Sequence, residues 1–353
     1  MSARSRFSSL LLTSLALAPG LDAQSAAEPA RFLQRHIGLS AAEVDGARRG
    51  DVVTRALESP DRNEIAVFGI VSVRAPRGFI AGRLGDVQAA LAVPGRTAFG
   101  VFGEPASADD ARTFVAEREE IEALRKCRAG DCLVKLPATT MEQFRREVDW
   151  SAKQVEQQAT ALIRQRMADY VTAYRKGGSA AMVEYGDTKA PARAGDVFAA
   201  LLQRSPYLFE YLPAFHRYLS AYPAERLPGV SDALFWSTDR MPGLRPVLSI
   251  THRSVYTPAG SPLTLVSAKQ LYASHYFEAA LELTTVLDRA DGQGAPGAYV
   301  MVLKRMRFDN LPSGGLLNIR GKVIGKMHEA LRAELGQRRA TLEREYGAMA
   351  RER

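Results

Sequence analysis

The chain has 353 residues, of which 46% are hydrophobic and 24% charged, with 28 glycines and 18 prolines. Such values exclude the disordered, collagen-like and multi-span membrane classes and leave room for one large domain or two ordinary ones. A formal charge of +8 permits contact with nucleic acid or an anionic surface without requiring either, and two cysteines exclude a disulfide framework and a cysteine-rich zinc site.

The first residues carry the clearest functional signal. Arg4 and Arg6 precede an apolar run from Phe7 to Leu21, which Pro19-Gly20 breaks, and Leu21-Asp22-Ala23 offers a small-residue cleavage site before Gln24. Basic region, short apolar core and processing site together predict a secretory signal peptide over residues 1–23, because a membrane span needs roughly 20 apolar residues. The mature protein is therefore expected to be exported, to the periplasm or beyond the cell. In an oxidising compartment Cys127 and Cys132, which bracket the polar turn Arg128-Ala129-Gly130-Asp131, are expected to form a small structural disulfide. Their C-x4-C spacing differs from the C-x-x-C of a redox-active pair, and no histidine lies near enough in sequence to make a metal site with them.

Residues 24–62 read as an N-terminal helical segment. Ser40 and Glu43 have capping-box spacing, Gly50 is a stop, and Ser59-Pro60-Asp61 is a turn. Glu64–Ala75, rich in valine and isoleucine, predicts a strand; Phe79–Leu91 predicts a short helix and Thr97–Phe102 a second strand. Charge-rich Ser107–Lys126 reads as a helix with Ser107 as N-cap. Helices follow at Thr139–Val148, Ser151–Lys176, Gly195–Leu202 and Tyr207–Tyr222, with Gly177-Gly178 ending the second. The aromatics of the last, among them Tyr207, Phe215 and Tyr218, are expected to pack a core and its rim.

Beyond Pro228 the pattern turns extended. Ala233–Ser237, Pro246–Tyr256, Leu263–Tyr276, Phe277–Leu287 and Ala298–Phe308 read as strands on short connections, which predicts an antiparallel meander. The one G-x-G-x-x-G, Gly292 to Gly297, leads into a strand rather than a helix and reads as a hairpin turn, not a phosphate cradle. After Gly314-Gly315 comes a long helix with Val323, Met327, Leu331, Leu335 and Leu342 in one apolar stripe. Its other face is basic, with glutamates interspersed as on a solvated face; that argues against nucleic acid and leaves peripheral contact with an anionic membrane open.

The fold class is thus α+β: an antiparallel sheet wrapped around a long C-terminal helix, with a helical middle segment. The segment Asn63–Pro76 with the short helix through Gly85-Asp86, the strands from Ala233 to Phe308, and Leu311-Pro312 leading into the last helix resemble the START/Bet v 1-like (SRPBCC, helix-grip) superfamily over residues 63–103 and 230–350. That resemblance implies a sheet that grips the final helix around an apolar cavity. Residues 104–229 are a helical insertion, longer than the connection usual in that superfamily.

No hydrolase, zincin or Walker motif occurs, and no cofactor is expected. The densest chemistry is Ser267–Tyr276. Alternation along a strand places His252 with Leu248, Ile250 and Tyr256, and places Lys269 and His275 with Leu263, Leu265 and Leu271. Charged groups on an apolar face must pair, point to a cavity or sit at an open strand end, because burying them unpaired costs several kcal/mol. Two roles suit them. Lys269, Arg305 and Arg307, with Tyr272 beside them, could anchor a carboxylate or phosphate head group; His252 or His275 could act as an acid or base near neutral pH. The leading expectation is an exported protein that binds a hydrophobic or amphipathic small molecule, such as a lipid, without catalysis. The alternatives are a periplasmic hydrolase using a histidine of the meander and a structural protein of the cell envelope.

Overall fold

The computed structural model describes residues 27–93, 95–241, 243–289, 296–311 and 318–351. The predicted signal peptide, the glycine-rich turn at 292–295 and the link through Pro312 lie outside the described residues. The chain begins with α1 (Ala27–Phe32), which runs into a π-turn at Leu33–Ile37, and α2 (Ala41–Arg49). The Ser40 side chain accepts from the Glu43 backbone N–H while the Glu43 carboxylate accepts from Ser40 N–H, and Gly50 ends the helix at φ 103°, as the capping signals required. The segment 24–62 is not wholly helical, however: β1 (Val53–Leu57) forms an edge strand in it. With five residues and only one fully buried side chain, it lacked the apolar pattern by which strands are recognised.

β2 (Glu64–Val73) follows, then α3 (Arg77–Gly85), α4 (Val87–Leu91) and β3 (Arg96–Val101). Instead of one helix over 107–126 there is a short 3-10 turn, capped by Ser107 as expected, and a separate α5 (Arg118–Lys126). The middle continues with α6 (Ala138–Glu147), α7 (Val155–Gly177), a two-stranded ribbon of β4 (Glu184–Tyr185) and β5 (Ala192–Arg193), and α8 (Ala194–Gln203). Pro213 divides the predicted 207–222 helix into α9 (Pro206–Tyr211) and α10 (Pro213–Ala221). A proline lacks the N–H an interior helical position must donate but suits a first turn. β6 (Val230–Asp239), β7 (Val247–Tyr256), β8 (Leu263–Ala273), β9 (Phe277–Asp288) and β10 (Ala298–Phe308) form the meander, and α11 (Ile319–Arg351) ends the chain.

These elements make an eight-stranded antiparallel sheet in the order β1-β2-β10-β9-β8-β7-β6-β3. The long C-terminal helix lies against one face of it, so the architecture is generally START-like. β2 is buried along its whole length, which its near-continuous apolar sequence EIAVFGIVSV anticipated. One set of its side chains, Ile65, Val67, Val71 and Val73, packs with Leu331, Leu335 and Leu342 of α11. The other set, Phe68 and Ile70, joins a much larger core shared by the sheet and the whole insertion. The insertion leaves between neighbouring strands β3 and β6 and lies over the face opposite α11. It is no separate unit, because Tyr174, Phe198 and Phe215 from its helices share one core with Leu234, Ile250 and Leu281 of the sheet.

Gly69 sets how closely α11 approaches. A Cβ at that position would stand 2.6 Å from Leu335 Cδ1 and 3.1 Å from Leu331. Lys304 of β10 then ties the helix down, donating to Glu334 at 2.8 Å with Glu282 of β9 at 3.2 Å. Gly69→Val is expected to force the helix outward and destabilise the fold by about 1–3 kcal/mol, the usual cost of overpacking, read as a lowered midpoint in urea unfolding.

Candidate functional site

The sheet is covered on both faces, so His252, Lys269, His275 and Arg305 are buried, Tyr272 and Arg307 half-buried, and their partners decide what they can do. On β7, His252 is 1% exposed. Its Nε2 lies 3.0 Å from Asp232 Oδ1 on β6 and its Nδ1 2.9 Å from the Tyr174 hydroxyl on α7. A carboxylate only accepts, so Nε2 carries the hydrogen and Nδ1 accepts from Tyr174. Tyr218 of α10 donates to the same Asp232 oxygen at 2.5 Å. Burial pushes the His252 pKa below its ordinary value, against the opposing pull of Asp232. Burial alone would raise Asp232, yet the hydrogen bonds from His252, Tyr218 and Ser254 hold it below the usual carboxylate range. Both imidazole nitrogens are thus engaged within the protein, and the ring is locked rather than offered to a substrate.

The β8 register accounts for two further positions. Thr251 pairs with Gln270 but Ile250 pairs with Tyr272, so a bulge at Leu271 skips one residue. Strict alternation would have put Tyr272 on the far face; the bulge turns it toward Ile250, and both line a cavity. His275 lies beyond the end of β8, in the tight turn to β9 where Tyr276 takes a left-handed φ of 62°. It therefore does not continue the row of Lys269 and Leu271. Its Nε2 sits 2.9 Å from both carboxylate oxygens of Glu120 on α5, which also meets Arg245 at 3.3 Å.

Arg305 and Arg307 of β10 do not stand free at a cavity mouth. Arg305 donates to Glu64 Oε1 at 2.6 Å; Arg307 donates to Asp61 at 2.8 Å and also meets Glu278. Arg204 from α8's end joins them on Glu64 at 2.6 Å. The cluster pins the start of β2 to β9, β10 and the insertion, and its guanidinium charges are neutralised in place.

Lys269 is the exception. It is 1% exposed, with no carboxylate pairing to it among the described residues. Its Nζ lies 2.8 Å from Ser179 Oγ, 4.1 Å from the centre of the Phe198 ring and 5.3 Å from that of Tyr174. Burial pushes its pKa down to about 7. Lys135 shows the contrast: equally buried, it reaches Asp187 at 3.5 Å and Asp309 at 3.6 Å. Sequence offered no route to Ser179, Tyr174 or Glu120, which come from the insertion. Asp232 was within reach, since it alternates with Leu234 and Trp236 on the inward face of β6.

A cavity of about 370 Å³ lies between α5, α6 and α7 and the β6–β8 part of the sheet. It is not beneath the final helix, where the resemblance would place it; α11 and the valines of β2 and β10 close that face. Its wall is apolar, with Leu124, Phe144, Met167, Leu248 and Ile250, and Glu117, Glu120, Arg166 and Asp169 stand among its polar lining. The Nε of Arg166 is buried with no hydrogen-bond partner among the described residues, while its Nη1 meets Asp169 at 3.3 Å. Cys127 and Cys132 are joined by a disulfide at the end of α5, beside this cavity. Among the described residues no cluster of side chains has the makeup of a metal site, and no helix is long and apolar enough to cross a membrane.

The chain matches no known protein family and no curated protein sequence.

The lysine's environment dictates a pH dependence. Unfolded Lys269 keeps its proton up to its ordinary value near 10.5, whereas the folded one gives it up near 7. Between those values the unfolded state binds more protons, so this lysine makes stability rise with pH across that window. Lys269→Met removes the buried cation and keeps its volume. The variant is expected to melt several degrees above the parent at pH 6, with the gain shrinking as the pH approaches 10, in thermal melts monitored by circular dichroism.

Proposed function

We propose that the mature chain is an exported member of the START/Bet v 1-like group that binds a hydrophobic or amphipathic small molecule in the cavity between the insertion and the sheet. The observation that carries this reading is the cavity itself: about 370 Å³ of space with an apolar wall and ionisable groups in its lining. That combination suits a ligand with an apolar body and a polar head, since burying an alkyl chain there gains about 0.8 kcal/mol per methylene. Arg166, with a buried Nε that has hydrogen-bonding capacity to spare, is the group that would receive an anionic head. Glu120, fixed by His275 and Arg245, would accept a hydrogen bond from a hydroxyl or amide elsewhere on the ligand. The disulfide beside the cavity supports export, because such bonds persist in oxidising compartments.

In this reading the predicted anchors change. Tyr272 lines the cavity directly and His275 acts through Glu120, while Lys269, His252, Arg305 and Arg307 belong to the sheet interior beyond it. The cavity wall holds no paired nucleophile and base, which favours binding over turnover within it. Ile163 of α7 lines the cavity and is only half-buried, so Ile163→Trp should fill the space without disturbing the core. A fluorescent fatty-acid displacement assay is expected to show saturable binding by the parent and at least a tenfold weaker signal for Ile163→Trp at unchanged melting temperature. Native mass spectrometry of the purified chain should find a co-purified organic ligand that the variant lacks. Equal binding by both proteins would remove the cavity from the argument.

A further inference from the structure

One buried group has no part in the binding reading, and its surroundings suit chemistry. Lys269 reaches Ser179 Oγ at 2.8 Å from inside the sheet, while Ser179 itself is half-buried, on the turn that follows α7. The lysine is flanked by the rings of Phe198 and Tyr174 and has no carboxylate partner among the described residues. Burial of a primary amine without a counter-charge favours its neutral form, and a neutral amine within hydrogen-bond reach of a hydroxyl is a general base.

The backbone around Ser179 is held as tightly as the lysine. Gly178 sits at φ 56°, where a Cβ would fall 1.7 Å from Tyr222 O, and a Cβ on Gly195 would lie 2.4 Å from Ser179 O. Only glycine admits those approaches, so the turn is clamped between α10's end and the start of α8. A hydroxyl held on an over-determined turn, against a base locked by packing, is the arrangement that nucleophilic catalysis needs.

We propose that Ser179 and Lys269 form a nucleophile–base pair that hydrolyses carboxylic esters. The Ser179 hydroxyl gives its proton to the neutral Lys269 amine as Oγ bonds to the ester carbonyl carbon. The resulting ammonium returns that proton to the leaving alkoxide as the ester C–O bond breaks, which releases an alcohol and leaves an acyl-serine. Water then attacks the acyl carbon, gives a proton to Lys269 and frees the carboxylic acid; the proton passes back to Ser179 Oγ, and both groups return to their starting state. Water is the only co-reactant and no electrons are exchanged. The rings of Phe198 and Tyr174 flank the pair, so esters with an apolar acyl group are the substrates its surroundings favour. The inference stands independently of what the cavity itself retains.

The test uses an alkyl fluorophosphonate and p-nitrophenyl butyrate on the purified chain. Intact mass is expected to show one phosphonyl adduct, mapped to Ser179 by peptide analysis, and the rate of labelling should climb with pH through about 7 as Lys269 loses its proton. Ser179→Ala should abolish the adduct and ester turnover, and Lys269→Met should slow both at least a hundredfold, in the range ascribed to a general base. Ser179→Cys gives a second measurement that does not depend on turnover: its thiol should alkylate with iodoacetamide below pH 8 far faster than in Ser179→Cys/Lys269→Met. Absence of an adduct between pH 6 and 9, labelling that persists in Ser179→Ala, or a thiol indifferent to Lys269 would each overturn the proposal. Fatty-acid displacement by Ser179→Ala, expected to match the parent, keeps failure of this pair distinct from failure of the cavity reading.

Discussion

The sheet is covered on both sides, and that burial governs everything polar within it. α11 and α3 close one face and the insertion closes the other, so strands that would ordinarily show one side to water are shut in at their centre. In such a layer a charge cannot be left to solvent, and each one must be matched where it stands. Lys304 is matched by Glu282 and Glu334, Arg305 by Glu64, Lys135 by Asp187 and Asp309, and His252 by Asp232. The strand pairs cross from strand to strand or from sheet to helix, and Lys135 ties the link between α5 and α6 to the segments after β4 and β10, so each also fixes the placement of an element. Replacing one partner alone would strand the other charge, which is why such networks resist piecemeal change. Arg253 of β7 is met by the Leu84 carbonyl, and Lys269 stands out as a buried ammonium met by a single neutral hydroxyl.

Much of the fold could be read from the chain because its signals are local. β10 begins at Ala298 and ends at Phe308, as its apolar run and flanking turns indicated, and the caps at Ser40, Gly50 and Ser107 were legible in three or four residues each. Failures came where a distant contact decides. β1 is a five-residue stretch of mixed polarity, VTRAL, that pairs along the edge of β2. Tyr272 changed faces because of a single-residue bulge, which no alternation rule foresees. Likewise Glu120 meets His275 across 155 positions, and Lys269 meets Ser179 across 90. Sequence marked which side chains carry chemistry but not their partners, and the partners separate a structural histidine from an available one.

The insertion alters what the architecture implies. In a sheet that grips its final helix, the space for a ligand is expected between those two. Here Gly69 lets Leu335 sit directly on β2, and the valines of β2 and β10 fill the remaining gap, so that side is packed shut. The insertion instead roofs the opposite face, and the cavity of about 370 Å³ forms beneath that roof. The cause is geometric. Leucine and valine side chains fill the space between α11 and the sheet, whereas α5, α6 and α7 together leave a cavity against it.

One helix links the features that bear on function. α7 contributes Ile163, Met167 and Tyr170 to the cavity wall, Tyr174 to the His252 hydrogen bond and to the ring over Lys269, and at its end the turn that carries Ser179. Tyr170 also donates to Leu271 O at 2.7 Å, at the bulge that turns Tyr272 into the cavity. Tyr170 therefore holds the bulge from the same helix whose later turns supply Tyr174 and the approach to Ser179 beside Lys269. The cavity wall and the strand that carries Lys269 are thus joined by one hydrogen bond from Tyr170 and by the chain of β8.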